Sequence, residues 1–313
     1  MFVSLPRNPH VLDTRAPYAR ALNVMDRKET AVQRQLRRGG LASYEPLTQA
    51  TLLGLVEVAA DPCTFLDVGA HMGLYSAMIK TVYGDGVRVL AFEPTPRTAD
   101  LARRLARVNG LDYEVVELAL SSAPGEATLY ISEKAETSNS LQEGFRESTQ
   151  QVSVTVSTLD DYCLERRVVP SVMKIDVETF EPHVLRGGVL TLGRHGPRIV
   201  FEMLPRSDRR MTDSVLRLLE SVGYTLYRAT EREWVPTSLD SYRAHLSQEQ
   251  RDWLLSPGEL PADLAPAVDR WLTAIADCGV DGTFLVESGS RPPSGWNAPF
   301  EPETTSRTAR WGS

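Results

Sequence analysis

FLDVGAHMGLYS, residues Phe65 to Ser76, runs from an apolar, β-prone segment into Gly69, then Gly73, then a helix-compatible segment, LYSAMIKTVY. A strand that ends in a glycine turn and continues as a helix opens a βα repeat. In open α/β sheets ligands bind beyond the carboxyl end of such a strand. Gly69 can take backbone angles denied to other residues and lets a ligand approach the main chain. Gly73 lets the helix pack close to its strand. A dinucleotide loop needs G-x-G-x-x-G, because a pyrophosphate lies against bare backbone. Here the series is Gly69-Ala70-His71-Met72-Gly73, and a histidine stands where the second glycine would be. The loop therefore suits a nucleoside without a pyrophosphate.

Glu93 supplies the second element. It ends the strand VRVLAFEP, 24 residues after Gly69, where a carboxylate can accept both hydroxyl hydrogens of a ribose. Turn and carboxylate together favour an adenosine-containing ligand over a plain surface turn. They lean toward S-adenosylmethionine over NAD, since its amino-acid end suits an acidic neighbour such as Asp67. The cofactor candidates on this side are Asp67, Gly69, Ala70, His71, Gly73 and Glu93.

Working outward, Glu45–Ala60 reads as a helix with Pro46 in its first turn. CTFLDVGA, VRVLAFEP and YEVVELALS read as strands, and RTADLARRLARVNG as the helix between the last two. This alternation implies right-handed βαβ units and a parallel sheet covered on both faces. EATLYIS and QVSVTVSTL alternate with period two, as an antiparallel pair does. The βα rhythm resumes with Leu159–Arg166 (helix), SVMKIDV (strand), ETFEPHVLRGGVLTLG (helix), PRIVFEML (strand) and DSVLRLLESVG (helix). YTLYRAT and GTFLVES read as closing strands. Residues 1–45 form an N-terminal helical extension, with an amphipathic helix around Leu22–Arg38. Residues 46–288 form the main domain, within which 236–282 reads as a helical insertion or lid. Residues 289–313 lack periodicity and read as a flexible tail.

The bulk numbers exclude several classes. A net charge of −7 over 313 residues argues against a nucleic-acid or anionic-membrane partner. Three cysteines lie far apart, which fits reduced core thiols in a cytoplasmic protein. No apolar run has signal-peptide or membrane-span length. The expected partner is a small-molecule acceptor, with room left for a homo-oligomer.

The segments DVGAHMGLYS (67–76), AFEPTPRTADLARRLARVNGL (91–111), ALSSAPGEATLY (119–130), TVSTLDDY (155–162), MKIDVETFEPHVLRGG (173–188) and IVFEML (199–204) occur in this order. Together they resemble the FkbM-type family of S-adenosylmethionine-dependent methyltransferases, over roughly residues 45–230. The resemblance implies a class I methyltransferase fold, an α/β sheet of seven strands with the last antiparallel. It implies transfer of a methyl group, usually to a hydroxyl of a sugar, lipid or secondary metabolite. Two departures stand out: His71 where the family usually has Asn, and Thr179 where its IDVEG motif has glycine.

Methyl transfer from a sulfonium is an in-line displacement that needs alignment and, for a hydroxyl acceptor, removal of a proton. The class I fold ends its fourth strand beside the methyl group, so Asp176 and Glu178 are the first catalytic candidates, with Glu202 on the adjoining strand. Three such carboxylates can serve as base and orienting group or hold a divalent cation. Alternatively, Asp176 caps the next helix and Glu178 suits its positive end. Asp176 also borders the cofactor. His71, Ser140, Thr179 and His183 are the substrate-side candidates, Ser140 from the loop Thr137-Ser138-Asn139-Ser140. His183 also reads as a structural helix residue. Leu120 and Ser121 lie where the fold places its adenine. O-methylation in secondary metabolism is the leading reading; N-methylation of an amino sugar, an NAD-dependent oxidoreductase and a non-catalytic cofactor binder are the alternatives.

Overall fold

The computed structural model describes residues 1–6, 21–25, 30–132, 141, 148–231, 233–247 and 250–280. The chain opens with two short antiparallel strands, β1 (Phe2–Ser4) and β2 (Ala21–Asn23). Helix α1 (Ala31–Gly39) follows, started by a capping box in which Thr30 and Gln33 satisfy each other's backbone amides. The expected helix from Leu22 thus begins nine residues later, because Leu22 is paired in a strand. Helix α2 (Pro46–Glu57) carries proline in its first turn and is buried along most of its length.

The core is a βα series whose first strand is buried throughout and whose edge strand is not. It runs β3 (Cys63–Val68), α3 (Leu74–Tyr83), β4 (Val87–Phe92), α4 (Pro96–Val108) and β5 (Glu114–Val116). A small side sheet follows, with β6 (Ala119–Leu120), β7 (Gly125–Ser132) and β8 (Ser148–Ser157) in the order β6-β8-β7. The expected antiparallel pair is β7 and β8. The segment YEVVELALS is two strands rather than one: Leu118 N turns back to Val116 O, and β6 pairs with β8 instead of the main sheet.

The main series resumes with α5 (Leu159–Arg166), β9 (Val172–Ile175), α6 (Glu181–Arg186), α7 (Val189–His195), β10 (Arg198–Glu202) and α8 (Arg209–Ser221). Gly187 and Gly188 split the single helix expected over 178–193. A Cβ at Gly187 would lie 2.0 Å from the Ser121 carbonyl oxygen, so the backbones meet there and the helix breaks. Last come β11 (Tyr224–Ala229), β12 (Trp234–Pro236), α9 (Leu239–His245), β13 (Asp252–Pro257) and α10 (Leu264–Ala276).

The main sheet has the order β12-β11-β13-β10-β9-β3-β4-β5. Strands β10, β9, β3, β4 and β5 are mutually parallel, while β13 is antiparallel to both β10 and β11. This is a class I methyltransferase sheet with β12 added at one edge. The closing antiparallel strand is therefore β13, inside the segment 236–282 that reads from sequence as a helical lid. Residues 252–257 contain four consecutive fully buried positions, and a short buried run has no alternation to distinguish strand from helix. Helix α10 from the same segment packs on α2, where Gly54 meets Leu264, Ala267 and Val268. GTFLVES and the tail lie outside the described residues.

Period-two alternation divides the core. Phe65, Val89, Val200 and Leu254 face α2, α3 and α10, whereas Leu66, Leu90, Met173, Phe201 and Trp253 face α5 to α8. The polar residues near the strand ends follow the same rule. In register, Asp67 stands beside Lys174, Lys174 beside Val200, and Glu202 beside Asp252. The alternation thus gathers Asp67, Lys174, Asp176, Glu202 and Asp252 on the α2 and α3 side.

Candidate active site

A cleft of about 620 Å³ opens at the carboxyl ends of β3, β4 and β9. Gly69, His71, Glu93, Leu120, Asp176 and Glu178 line it. Six of the residues singled out from sequence thus converge, from four separate stretches of chain.

The loop after β3 is shaped by its own backbone. Gly69 N and Ala70 N both donate to Phe92 O, at 3.0 and 2.9 Å, and Gly73 N donates to Ala70 O at 2.7 Å. Gly69 has φ +82, and a Cβ on it would lie 1.8 Å from the Asp176 carbonyl oxygen. The glycine is required by the close approach of β9, a reason beyond any ligand. Glu93 accepts from His71 N at 3.0 Å and from Thr95 N at 2.9 Å. Burial nevertheless pushes its carboxyl up to about 7. Each oxygen keeps a further acceptor site toward the cleft. His71 holds φ +52, and neither ring nitrogen has a hydrogen-bond partner. Burial holds the ring down to about 4, so it is a neutral imidazole at physiological pH.

Asp67 is placed differently from the sequence expectation. It is fully buried and accepts from Ser76 N at 3.1 Å and Ser76 Oγ at 2.7 Å. It ties β3 to α3 and does not line the cleft, because alternation turns it to the α3 side. Ala70 and Gly73 shape the loop from behind; a Cβ at Gly73 would sit 2.7 Å from the Tyr113 hydroxyl. Ser121 lies one residue beyond the cleft, its amide donating to Ser157 O.

Beyond β9 the chain turns through Glu178 at φ +53 and Thr179 at φ +85. The second value is one that glycine adopts freely, and it is strained for a β-branched residue. Thr179 is buried at 1% exposure and lies beneath the cleft wall. Glu181, which sequence reasoning passed over, is fully buried and accepts from Val177 N at 2.8 Å, pinning this turn. His183 stacks on Phe180 with ring centroids 4.4 Å apart and sits 3.4 Å from Ser122 Oγ. It braces α6 and does not reach the cleft. Ser140 and its TSNS loop lie outside the described residues.

Asp176 joins the cleft to a buried charge network. Lys174, 5% exposed, places Nζ 2.9 Å from Asp176 Oδ2 and 4.8 Å above the Tyr75 ring. Burial opposes ionisation of Asp176, but the Lys174 ammonium outweighs it and holds the carboxyl below its ordinary range. Glu202 stands behind it, pushed up to about 10 by burial and by the Asp176 charge. It is a neutral carboxyl hydrogen-bonded to Asp176. Arg251 Nε meets Glu202 Oε1 at 2.9 Å, its guanidinium reaches Glu45 Oε1 at 3.6 Å, and Tyr75 donates to Glu45 Oε2 at 2.5 Å. Lys174, Arg251 and Glu45 carry no local sequence signal, since the pairs span up to 206 residues. The alternation of KID, FE and RDW on one face is the cue that could have found them.

The three carboxylates do not form a cation site. Lys174 and Arg251 already occupy the positions a cation would take beside Asp176 and Glu202. Among the described residues no group of three His, Cys, Asp or Glu is arranged to hold a metal ion.

The model for the Methyltransferase FkbM domain matches residues 67–226, just over half of the chain. The chain belongs to the FkbM methyltransferase family. As an FkbM methyltransferase it is a transferase enzyme, and the cleft is its candidate active site. Among solved structures, the methyltransferase FkbM of Methylobacillus flagellatus KT shares 15% identity, covering 63% of this chain and 44% of its own, with a TM-score of 0.42. A SAM-dependent O-methyltransferase of Thermotoga maritima shares 10% identity over 69% of this chain and 66% of its own, at a TM-score of 0.35. Among curated proteins, the transmembrane O-methyltransferases of Propithecus coquereli and Homo sapiens are each 35% identical over 83 residues. These matches cover 26% of this chain and 30% and 28% of the relatives, so the chain spans under a third of their length. No helix among the described residues is long and apolar enough to cross a membrane.

Proposed function

We propose that the cleft binds S-adenosylmethionine and that the enzyme methylates a hydroxyl on a sugar or small natural product. The observation that carries this reading is the pairing of Glu93 with a loop whose centre is filled by His71. Glu93 presents a carboxylate to a ribose diol, while the His71 side chain stands where a pyrophosphate would need bare backbone. The fit extends to the amino-acid end. His71 brings two unpartnered ring nitrogens to the cleft, and a neutral imidazole can accept from an ammonium or donate to a carboxylate. The curated relatives are named O-methyltransferases, which agrees with a hydroxyl acceptor.

The bound cofactor supplies a methyl group already activated on a sulfonium. The chain's own residues then orient and deprotonate the acceptor. Asp176, one quarter exposed and ionised, accepts the hydrogen bond of the acceptor hydroxyl. Held low by Lys174, it is a weak base, so it takes the proton only as the oxygen–carbon bond forms. Glu202 and Lys174 are positioning residues that fix the Asp176 carboxylate.

Glu93 gives the test a pH signature. Its ordinary value is 4.5 and its value in the free protein about 7. A ligand that binds the ionised form must first remove that proton below pH 7. With S-adenosylhomocysteine as the probe, affinity is expected to be level above pH 7 and to fall roughly tenfold per unit below it. Glu93→Gln is expected to flatten this profile and to weaken binding about tenfold at pH 8. Calorimetric titration across pH checks both; a level profile for the unmodified enzyme would exclude Glu93 from the ligand contact.

A further inference from the structure

A second cavity, of about 610 Å³, lies at the start of α8, the helix against which α6 packs. Phe180, at the start of α6, lines the cleft. On its other side Glu181 acts on the Tyr242 phenol and Asp208 acts on His183. Ser207, Arg209, Thr212, Tyr242 and Arg243 line this second cavity. One carboxylate, Asp213, also lines it, held by Arg243, and the other polar walls are donors. Ser207 is 5% exposed and Tyr242 2% exposed, and the hydroxyl of each lacks any hydrogen-bond partner. Buried hydroxyls are rarely left unpaired, since each costs about 1–3 kcal/mol. Arg209 is exposed and makes no ion pair among the described residues. Asp208 caps the 13-residue helix, taking Met211 N on Oδ1 and Thr212 N on its carbonyl, which leaves the amides of Arg209 and Arg210 at the helix start.

We propose that this cavity binds an oxyanion, a phosphate or carboxylate group, carried by the methyl acceptor. The proposal rests on the methyl-transfer reading above, and adds that the acceptor is anionic at a point remote from its reacting hydroxyl. Charge and geometry agree. Ser207 and Tyr242 offer hydroxyl donors, the helix start offers amides, and Arg209 offers a guanidinium fork suited to either oxyanion. Of the acidic neighbours, Asp208 accepts from Met211 N at the helix start, and the others are paired or neutral. Asp213 is held by Arg243 at 3.1 and 2.9 Å, and Asp240 pairs with the same arginine at 2.7 Å. Burial pushes the Glu181 carboxyl up to about 8, so at neutral pH it adds little repulsion. Position agrees as well: both openings lie at the carboxyl ends of adjacent strands, β9 and β10, so one extended molecule can span α6.

Inorganic phosphate is the probe, titrated into the intact enzyme at constant ionic strength with chloride as the balancing salt. Millimolar binding is expected for the unmodified enzyme. Arg209→Gln should weaken it at least about tenfold. Tyr242→Phe should weaken it about threefold without lowering the unfolding midpoint, because the hydroxyl it removes bonds to nothing in the free protein. S-adenosylhomocysteine binding should be unchanged in both variants and by saturating phosphate, which separates this inference from the cofactor assignment. Acetate in a parallel titration distinguishes the sources: tighter phosphate points to a phosphorylated acceptor, tighter acetate to a carboxylated one. Absence of phosphate binding, equal binding by Arg209→Gln, or competition between phosphate and S-adenosylhomocysteine would each overturn the proposal.

Discussion

Gly69→Ala is expected to lower stability by about 3–5 kcal/mol and to abolish binding in the cleft. The new Cβ would lie 1.8 Å from the Asp176 carbonyl oxygen and 2.8 Å from its carbon. That carbonyl is not free to retreat, because Asp176 N donates to Val68 O at 2.9 Å. The left-handed backbone, φ +82, costs an alanine about 1–2 kcal/mol; the rest is the forced separation of β3 from β9. Gly84 is the control. It also has positive φ, +56, with ψ −132, but nothing lies within 4 Å of its Cβ position, so Gly84→Ala should cost about 1–3 kcal/mol, the conformational part alone. Urea unfolding of the two variants compares them directly. Equal midpoints would mean that the strand ends are not in the contact described.

Lys174→Met carries the second large effect, about 3–5 kcal/mol of stability at neutral pH. Lys174 is the buried cation beside Asp176 and in register with Asp67. Removing it leaves the Asp176 and Asp67 carboxylates without their shared cation, with only the hydrogen bonds from Glu202 and Ser76 to hold them. The Asp176 carboxyl, held low by that ammonium, should then rise. Stability of the variant should therefore recover as pH falls, the reverse of the unmodified enzyme, whose Asp176 contribution is present above its ordinary value of 3.8 and lost as pH falls below it. Replacing both partners, Lys174→Met with Asp176→Leu, should restore much of the loss. A single variant as stable as the unmodified enzyme at pH 7 would contradict the pairing.

Much of this was legible in the sequence, and where it was not, the reason is physical. Residues 63–108 could be read almost element by element, because fully buried parallel strands alternate with helices that glycine or proline punctuates. Strand β13 could not be read, since residues 252–257 are a short buried run in which neither period shows. The split of YEVVELALS depends on β8, whose Val156 and Ser157, 37 residues on, draw Ala119 and Leu120 into another sheet. The same division holds in the site. Gly69, His71 and Glu93 were visible from local pattern and Asp176 from the family resemblance, and all four reach one cleft. Asp67 was assigned to the ligand from its place at a strand end, but side-chain alternation points it at Ser76 instead. Arg251 and Glu45 were invisible because only the folded sheet brings them to Glu202.

The most direct test of the central claim is calorimetric titration of the unmodified enzyme with S-adenosylhomocysteine and with NAD under the same conditions. The expected result is micromolar binding of S-adenosylhomocysteine and no detectable binding of NAD. Binding of NAD without S-adenosylhomocysteine would contradict the reading of Glu93 and His71 and return the cleft to a dinucleotide.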